Sequence, residues 1–114
     1  MEKGEEKFIE YIMAMPSKLE VEIHKAEEGG FWAKIKNLPG CYTQAENFIE
    51  LIQMVNDSVF TYFDIPLKYR RRLGYYIPMK IKILLEQKSR HKQIEDAVQK
   101  IIAGKRKTLE FSKN

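Results

Sequence analysis

Few side chains in this sequence could carry out a reaction. It has two histidines, His24 and His91, and a single cysteine, Cys41. His24 falls on the polar side of an alternating run and His91 opens an amphipathic stretch. Neither has a serine or cysteine nucleophile at a recognisable spacing. A metal site from Cys41, His24 and His91 would need long-range convergence that nothing in the sequence signals. Glycine-rich phosphate loops are missing as well. The expectation is therefore no enzyme, no metal and no cofactor.

Two other groups of residues suit binding chemistry. Glu20, Glu22, Glu27 and Glu28, close to Trp32 and Tyr42, could meet the cationic groups of a protein partner, with the aromatics as anchors. A merely solvated sheet face for the acids, and packing beneath the terminal helices for Trp32 and Tyr42, are the plain alternatives. Lys68, Arg70, Arg71 and Arg72, interleaved with Tyr69, Tyr75 and Tyr76, could grip phosphates and stack on bases, and Lys105, Arg106 and Lys107 add a second basic run. A solvated loop has the same composition.

The net charge of +4 hides a division. Met1 to Asp64 carries 6 Lys+Arg against 12 Asp+Glu, a balance of −6, whereas Ile65 to Asn114 carries 14 against 4, a balance of +10. An acidic front half suits a basic partner and a basic back half a polyanion or an acidic partner, because a surface field of one sign steers ligands of the other. Alternatively, the halves attract each other within one chain or across a dimer.

Hydrophobic period shows which elements must position these groups. Leu19, Val21 and Ile23 alternate with Glu20, Glu22 and His24, as a strand with one dry face requires. Gly29-Gly30 makes a hairpin corner, and Phe31, Ala33 and Ile35 resume the alternation. Asn37-Leu38-Pro39-Gly40 is a second turn, followed by a short third strand, Cys41-Tyr42-Thr43. At Asn47 the period lengthens. Asn47 can cap a helix, with Glu50 placed to reach back, and Phe48, Leu51, Ile52, Val55, Val59, Tyr62 and Phe63 share one face.

Before this core, Phe8, Ile12 and Met15 lie at helical spacing in a helix over about 5–15 that Pro16 ends. After it, Asp64-Ile65-Pro66 stops the central helix. Ile77, Met79, Ile81, Ile83 and Leu85 then alternate with Pro78, Lys80 and Lys82. This pattern predicts a fourth strand, at an edge because of Pro78, reached by a crossover and paired in parallel with an earlier strand. Ser89 can cap a last helix over about 89–103, whose Ile94, Ala97, Val98, Ile101 and Ile102 form a stripe before Gly104. That stripe docks on its own sheet or, as the slightly preferred reading, pairs with a second subunit. Thr108 to Asn114 reads as a tail without regular structure.

The fold class expected is α+β: an antiparallel three-strand meander, a crossover helix and a fourth strand, flanked by terminal helices. At 114 residues, with 44% hydrophobic and 32% charged composition, one domain over 1–114 fits, its core at about 17–86. No stretch approaches the apolar length of a membrane span, and the start lacks the apolar run of a secretion signal. With one cysteine no internal disulfide can form, so a cytoplasmic, reducing setting is expected.

The run Glu27-Glu28-Gly29-Gly30-Phe31-Trp32-Ala33-Lys34-Ile35-Lys36-Asn37-Leu38-Pro39-Gly40-Cys41-Tyr42-Thr43-Gln44-Ala45 resembles the signature of HicB-type antitoxins, and the likeness extends over roughly Leu19 to Phe63. The resemblance implies a truncated ribonuclease-H-like fold without that fold's metal-binding carboxylates. It also implies a partner, a small basic HicA-type toxin with a double-stranded-RNA-binding-like fold that cleaves messenger RNA and is held inactive. The chain departs from the family at Ala45-Glu46-Asn47, where a glycine, an acidic residue and threonine or serine are usual, and at Leu51, where alanine is common. Family members often carry a helix-turn-helix or ribbon-helix-helix unit at the C-terminus. Here one helix and a tail follow Glu86, too little for either unit.

The combined expectation is a non-catalytic HicB-like antitoxin or stand-alone relative that masks a small basic toxin, itself a homodimer or higher oligomer. The alternative is a nucleic-acid-binding regulator acting through the basic back half, and a degenerate nuclease is a distant third.

Overall fold

Burial along Lys18–Lys25 alternates as the sequence predicts, with Leu19, Val21 and Ile23 fully buried while Glu20 faces out. In the computed structural model, which describes residues 3–87 and 90–113, this segment is strand β1. A hairpin joins it to β2 (Phe31–Ile35), and β3 (Tyr42–Ala45) completes an antiparallel meander. Both corners turn on glycines with positive φ, Gly30 at 77° and Gly40 at 80°. Gly30 has a second constraint, since a Cβ there would lie 2.7 Å from the Ala45 carbonyl oxygen.

Helix α2 (Phe48–Tyr62) follows, with the Asn47 side chain accepting from the Glu50 amide at 2.9 Å as a cap. Phe48, Leu51, Ile52, Val55 and Val59 are buried as expected. Tyr62 is exposed, and its expected place in the face is taken by Asn56 and Phe60. Asn56 is wholly buried and fully used. Its amide nitrogen donates to the Ile52 and Tyr76 carbonyls at 2.8 and 2.9 Å, and its oxygen accepts from the Tyr76 amide at 2.7 Å. It thus pairs with Tyr76 as a neighbouring strand would. The Tyr76 hydroxyl donates to the Pro16 carbonyl, and burial pushes its pKa up to about 12.

The predicted fourth strand is only partly present. Strand β4 is Tyr76–Pro78, preceded by the short helix α3 (Leu67–Arg70), and Met79–Glu86 is helix α4. Ile81 and Leu84, three apart, share one face of a helix but would stand on opposite faces of a strand, and Met, Lys, Leu and Glu all favour helix, so alternation alone misleads here. Pro78 does lie on an edge strand, but β4 pairs antiparallel with its neighbour, not in parallel after a crossover.

That neighbour is the largest departure from expectation. Residues read as a tail form β5 (Arg106–Lys113), inserted between β1 and β4 in a five-stranded antiparallel sheet of order β3-β2-β1-β5-β4. Seven register pairs join it to β1, from Lys18 with Ser112 to His24 with Arg106. Phe111 is fully buried. The last helix, α5 (His91–Ile101), docks on this chain's own core through Ile94, Val98 and Ile102, against the slightly preferred reading that it pairs with another subunit. It is fastened by Glu95, which accepts from the Phe48 amide at 3.1 Å, and Gln99, which accepts from Lys25 at 2.9 Å. A carboxylate at the start of α2 also suits that helix's dipole. The expected Ser89 cap lies outside the described residues.

Helix α1 (Lys3–Ala14) ends before Pro16 and packs on α3 through Phe8 and Tyr11, whose rings lie 6.1 and 5.5 Å from Tyr69. Ile12, expected on that face, is exposed instead. Among the described residues no helix is long and apolar enough to cross a membrane.

Candidate partner-binding face

Both α2 and α5 bury their stripes against the face of the sheet that carries Leu19, Val21, Ile23, Ala33, Ile35 and Phe111. Among the described residues no helix covers the opposite face, and strand register decides what stands there. Residues opposite one another share a face, so one row reads Gln44, Trp32, His24, Arg106 and the next Tyr42, Lys34, Glu22, Thr108. Trp32 and Tyr42 are 38% and 57% exposed. They lie on this open face, not beneath the terminal helices.

Trp32 is held flat. Its ring stacks on the His24 imidazole, centroids 3.8 Å apart and planes 4° from parallel. His24 Nε2 lies 3.4 Å from Glu22 Oε2, makes no hydrogen bond and is shut off from water. Arg106 approaches the other Glu22 oxygen at 3.9 Å. The imidazole is the main influence holding the Glu22 carboxyl below its usual range, helped by Arg106 and Lys36 and opposed by burial. Because the folded-state pKa is depressed, the stability this group contributes is present above the ordinary carboxylate range and is lost as pH falls through the depressed value. Glu22→Gln should therefore flatten the acid limb of a stability-versus-pH curve measured by urea unfolding. An unchanged acid limb would show the cluster to be energetically idle.

The remaining acidic residues are distributed unequally. Glu20 stands opposite Glu110 across the β1–β5 ladder. Glu27 and Glu28 are exposed in the first hairpin, and Glu28 helps line a groove of about 670 Å³ together with Gly30, Trp32, Gln44, Glu46 and Glu50. Glu46 and Glu50 were legible in the sequence only as neighbours of a helix cap, since nothing local indicates that the hairpin folds over towards them. A second groove of about 390 Å³ lies between the start of β3 and α2, lined by Tyr42, Thr43, Met54, Asp57 and Tyr62 among others.

The two basic runs are not brought together. Arg70 donates through Nε to the Ile65 carbonyl at 2.9 Å and covers the Phe60 ring, while Arg72 pairs with Glu5 at 3.4 Å and covers the Phe8 ring at 3.9 Å. Lys68 sits 5.1 Å from the Tyr69 ring centre. Lys68, Arg70 and Arg71 line a groove of about 640 Å³ with Tyr75 and Asp57. Lys105, Arg106 and Lys107 lie at the other end of the β1–β5 ladder, whose seven pairs separate the ends by roughly 20 Å. Contacts such as Glu5 with Arg72 and Glu22 with Arg106 join the acidic and basic halves within one chain, although exposed pairs of this kind contribute little each.

Cys41 is buried, and burial raises its thiol pKa, which makes it a packing residue with little thiolate character. Among the described residues no three His, Cys, Asp or Glu side chains are grouped so as to hold a metal ion.

No family model matches the chain, and no solved structure matches it at a significant level. It is similar to a UPF0150 protein of Archaeoglobus fulgidus, at 35% identity over 48 residues, which is 42% of this chain and 70% of that relative. The chain belongs to the UPF0150 family.

Proposed function

We propose that this UPF0150 protein is a non-catalytic, HicB-like antitoxin or a stand-alone relative of one, which binds and masks a small basic HicA-type toxin that cleaves messenger RNA. The observation that carries the reading is the open sheet face, where two large aromatics stand exposed beside an acidic groove. Trp32 is pre-set by its stack on His24, so little side-chain freedom is lost when a partner covers it. Glu28, Glu46 and Glu50 supply negative charge next to it. Steering onto the acidic front half, then burial of Trp32 and Tyr42, would give fast association with slow release. UPF0150 membership supports this reading, since the family is HicB-like.

The test is co-expression with the product of the adjacent reading frame, if that product is small and basic. The expected result is a stable complex and relief of growth arrest. Trp32→Ala should weaken the complex by about 2 kcal/mol or more, roughly 30-fold, as a central aromatic anchor does. A complex indifferent to both Trp32→Ala and Tyr42→Ala would refute this face as the docking surface.

The groove containing Lys68, Arg70, Arg71 and Tyr75 supports a second reading, nucleic-acid binding. It is weaker, because Arg70 and Arg72 are already engaged within the fold and the second basic run is distant. Binding that falls steeply with added salt and is lost on Arg71→Ala would favour it.

A further inference from the structure

We infer that the free edge of β3 is a docking site for an extended basic segment of a partner, which adds to the sheet as a sixth strand. This rests on the reading of the protein as a binder of basic proteins and specifies how such a partner is held.

The sheet has two edges, and they differ. The β4 edge is three residues long and contains Pro78, which cannot donate. Strand β3 reads Tyr42-Thr43-Gln44-Ala45, with no proline and no charge to repel an incoming strand. Its hydrogen-bonding phase follows from the Ile35 amide donating to the Cys41 carbonyl. Antiparallel ladders alternate, so Thr43 and Ala45, opposite Ala33 and Phe31, bond inward to β2. Tyr42 and Gln44 therefore direct their amides and carbonyls away from the sheet, and both residues are exposed.

The two grooves flank this edge, the larger at the Ala45 end and the smaller at the Tyr42 end. A strand running antiparallel to β3 enters beside Glu28, Glu46 and Glu50 and leaves beside Asp57. Its backbone takes up the outward groups of Gln44 and Tyr42, and its alternate side chains drop towards the helix or lie on the open face with Trp32 and Tyr42. Charge selects the occupant. A second copy pairing edge to edge would bring Glu46, Glu50 and Asp57 of each chain towards those of the other, whereas lysine or arginine side chains would neutralise them.

The probe is a strand-length synthetic peptide alternating lysine and valine, with a control carrying glutamate in place of lysine. Trp32, the sole tryptophan, lines the larger groove and reports occupancy by fluorescence. The lysine peptide is expected to bind and to slow hydrogen exchange at the Tyr42 and Gln44 amides. Gln44→Pro, which removes an outward donor while leaving the inward pairs, should weaken binding by about tenfold or more. Glu28→Lys with Glu46→Lys, both on the surface, should reverse the preference between the two peptides even if Gln44→Pro disturbs the strand. Equal binding of both peptides, or binding without protection of those two amides, would overturn the inference. So would a dimer in sedimentation that Gln44→Pro dissolves, since a second copy would then fill the edge. Because no toxin is used, a positive result stands even if the adjacent reading frame yields no partner.

Discussion

Deleting residues 106–113 should leave a chain that no longer unfolds cooperatively. The segment supplies β5, which pairs with β1 on one side and β4 on the other, so without it the sheet splits into a meander and a detached three-residue strand. Phe111 leaves the core, and the inner edge of β1 loses seven register pairs. The expected result is loss of the sharp urea transition and of near-ultraviolet dichroism, with exposed apolar surface binding a reporter dye. A graded version is Phe111→Ala, expected to cost about 3 to 5 kcal/mol as for other fully buried aromatics. If the deleted chain retained a cooperative transition near that of the intact protein, β5 would be peripheral and the sheet order given above would be wrong.

Asn56→Leu is expected to destabilise by about 3 to 5 kcal/mol, because two buried backbone groups of Tyr76 would each lose their partner at roughly 1 to 3 kcal/mol apiece, with a helix carbonyl's second partner lost besides. The volume change is small, so packing contributes little and polar satisfaction decides the outcome. For a domain whose total stability is on the order of 5 to 15 kcal/mol, this is a large fraction. Urea titration of the two proteins measures it, and a loss under about 1 kcal/mol would show that water or a shifted backbone replaces the amide. A further consequence concerns β4, which Asn56 links to α2. In the variant, exchange at the Tyr76 amide should accelerate before that of the meander.

The meander and α2 were legible because each local signal agreed with the others. Alternation at Leu19, Val21 and Ile23, positive-φ glycines at the corners and a cap at Asn47 all require the same chain path. The region after Pro66 was harder to read for two physical reasons. Ile77 and Ile81, four positions apart, satisfy both a period of two and a helical period, whereas Leu84 fits the helical one alone, and the good helix formers from Met79 to Glu86 decided for α4. In β5, Leu109 and Phe111 are the only apolar residues among Arg106, Lys107, Thr108, Glu110, Ser112 and Lys113. A strand with few apolar positions looks like a solvated tail until its neighbours are known, and β1 on one side and β4 on the other are what bury it.

The candidate site divides the same way. Trp32 and Tyr42 could be named from the hairpin and its alternation, and they stand on the open face. Glu46 and Glu50 could not, because the groove they line arises from the close approach of Gly30 to the Ala45 carbonyl, a contact between residues fifteen positions apart. The basic run at Lys68 to Arg72 was legible as charge but not as structure. Only the fold shows that Arg70 and Arg72 hold a carbonyl, a carboxylate and two rings.

The ladder between β1 and β5 joins residues more than 80 positions apart. Closing so long a loop delays the reward of pairing until most of the chain has collapsed, which places this protein among slow folders for its size. In that interval β1 presents a bare hydrogen-bonding margin beside Leu19, Val21 and Ile23, and a nascent chain in this condition is prone to stick to its neighbours. The glutamates at alternate positions of β1 then have a kinetic value separate from any partner: they keep half-assembled molecules apart until the cationic strand arrives to close the sheet.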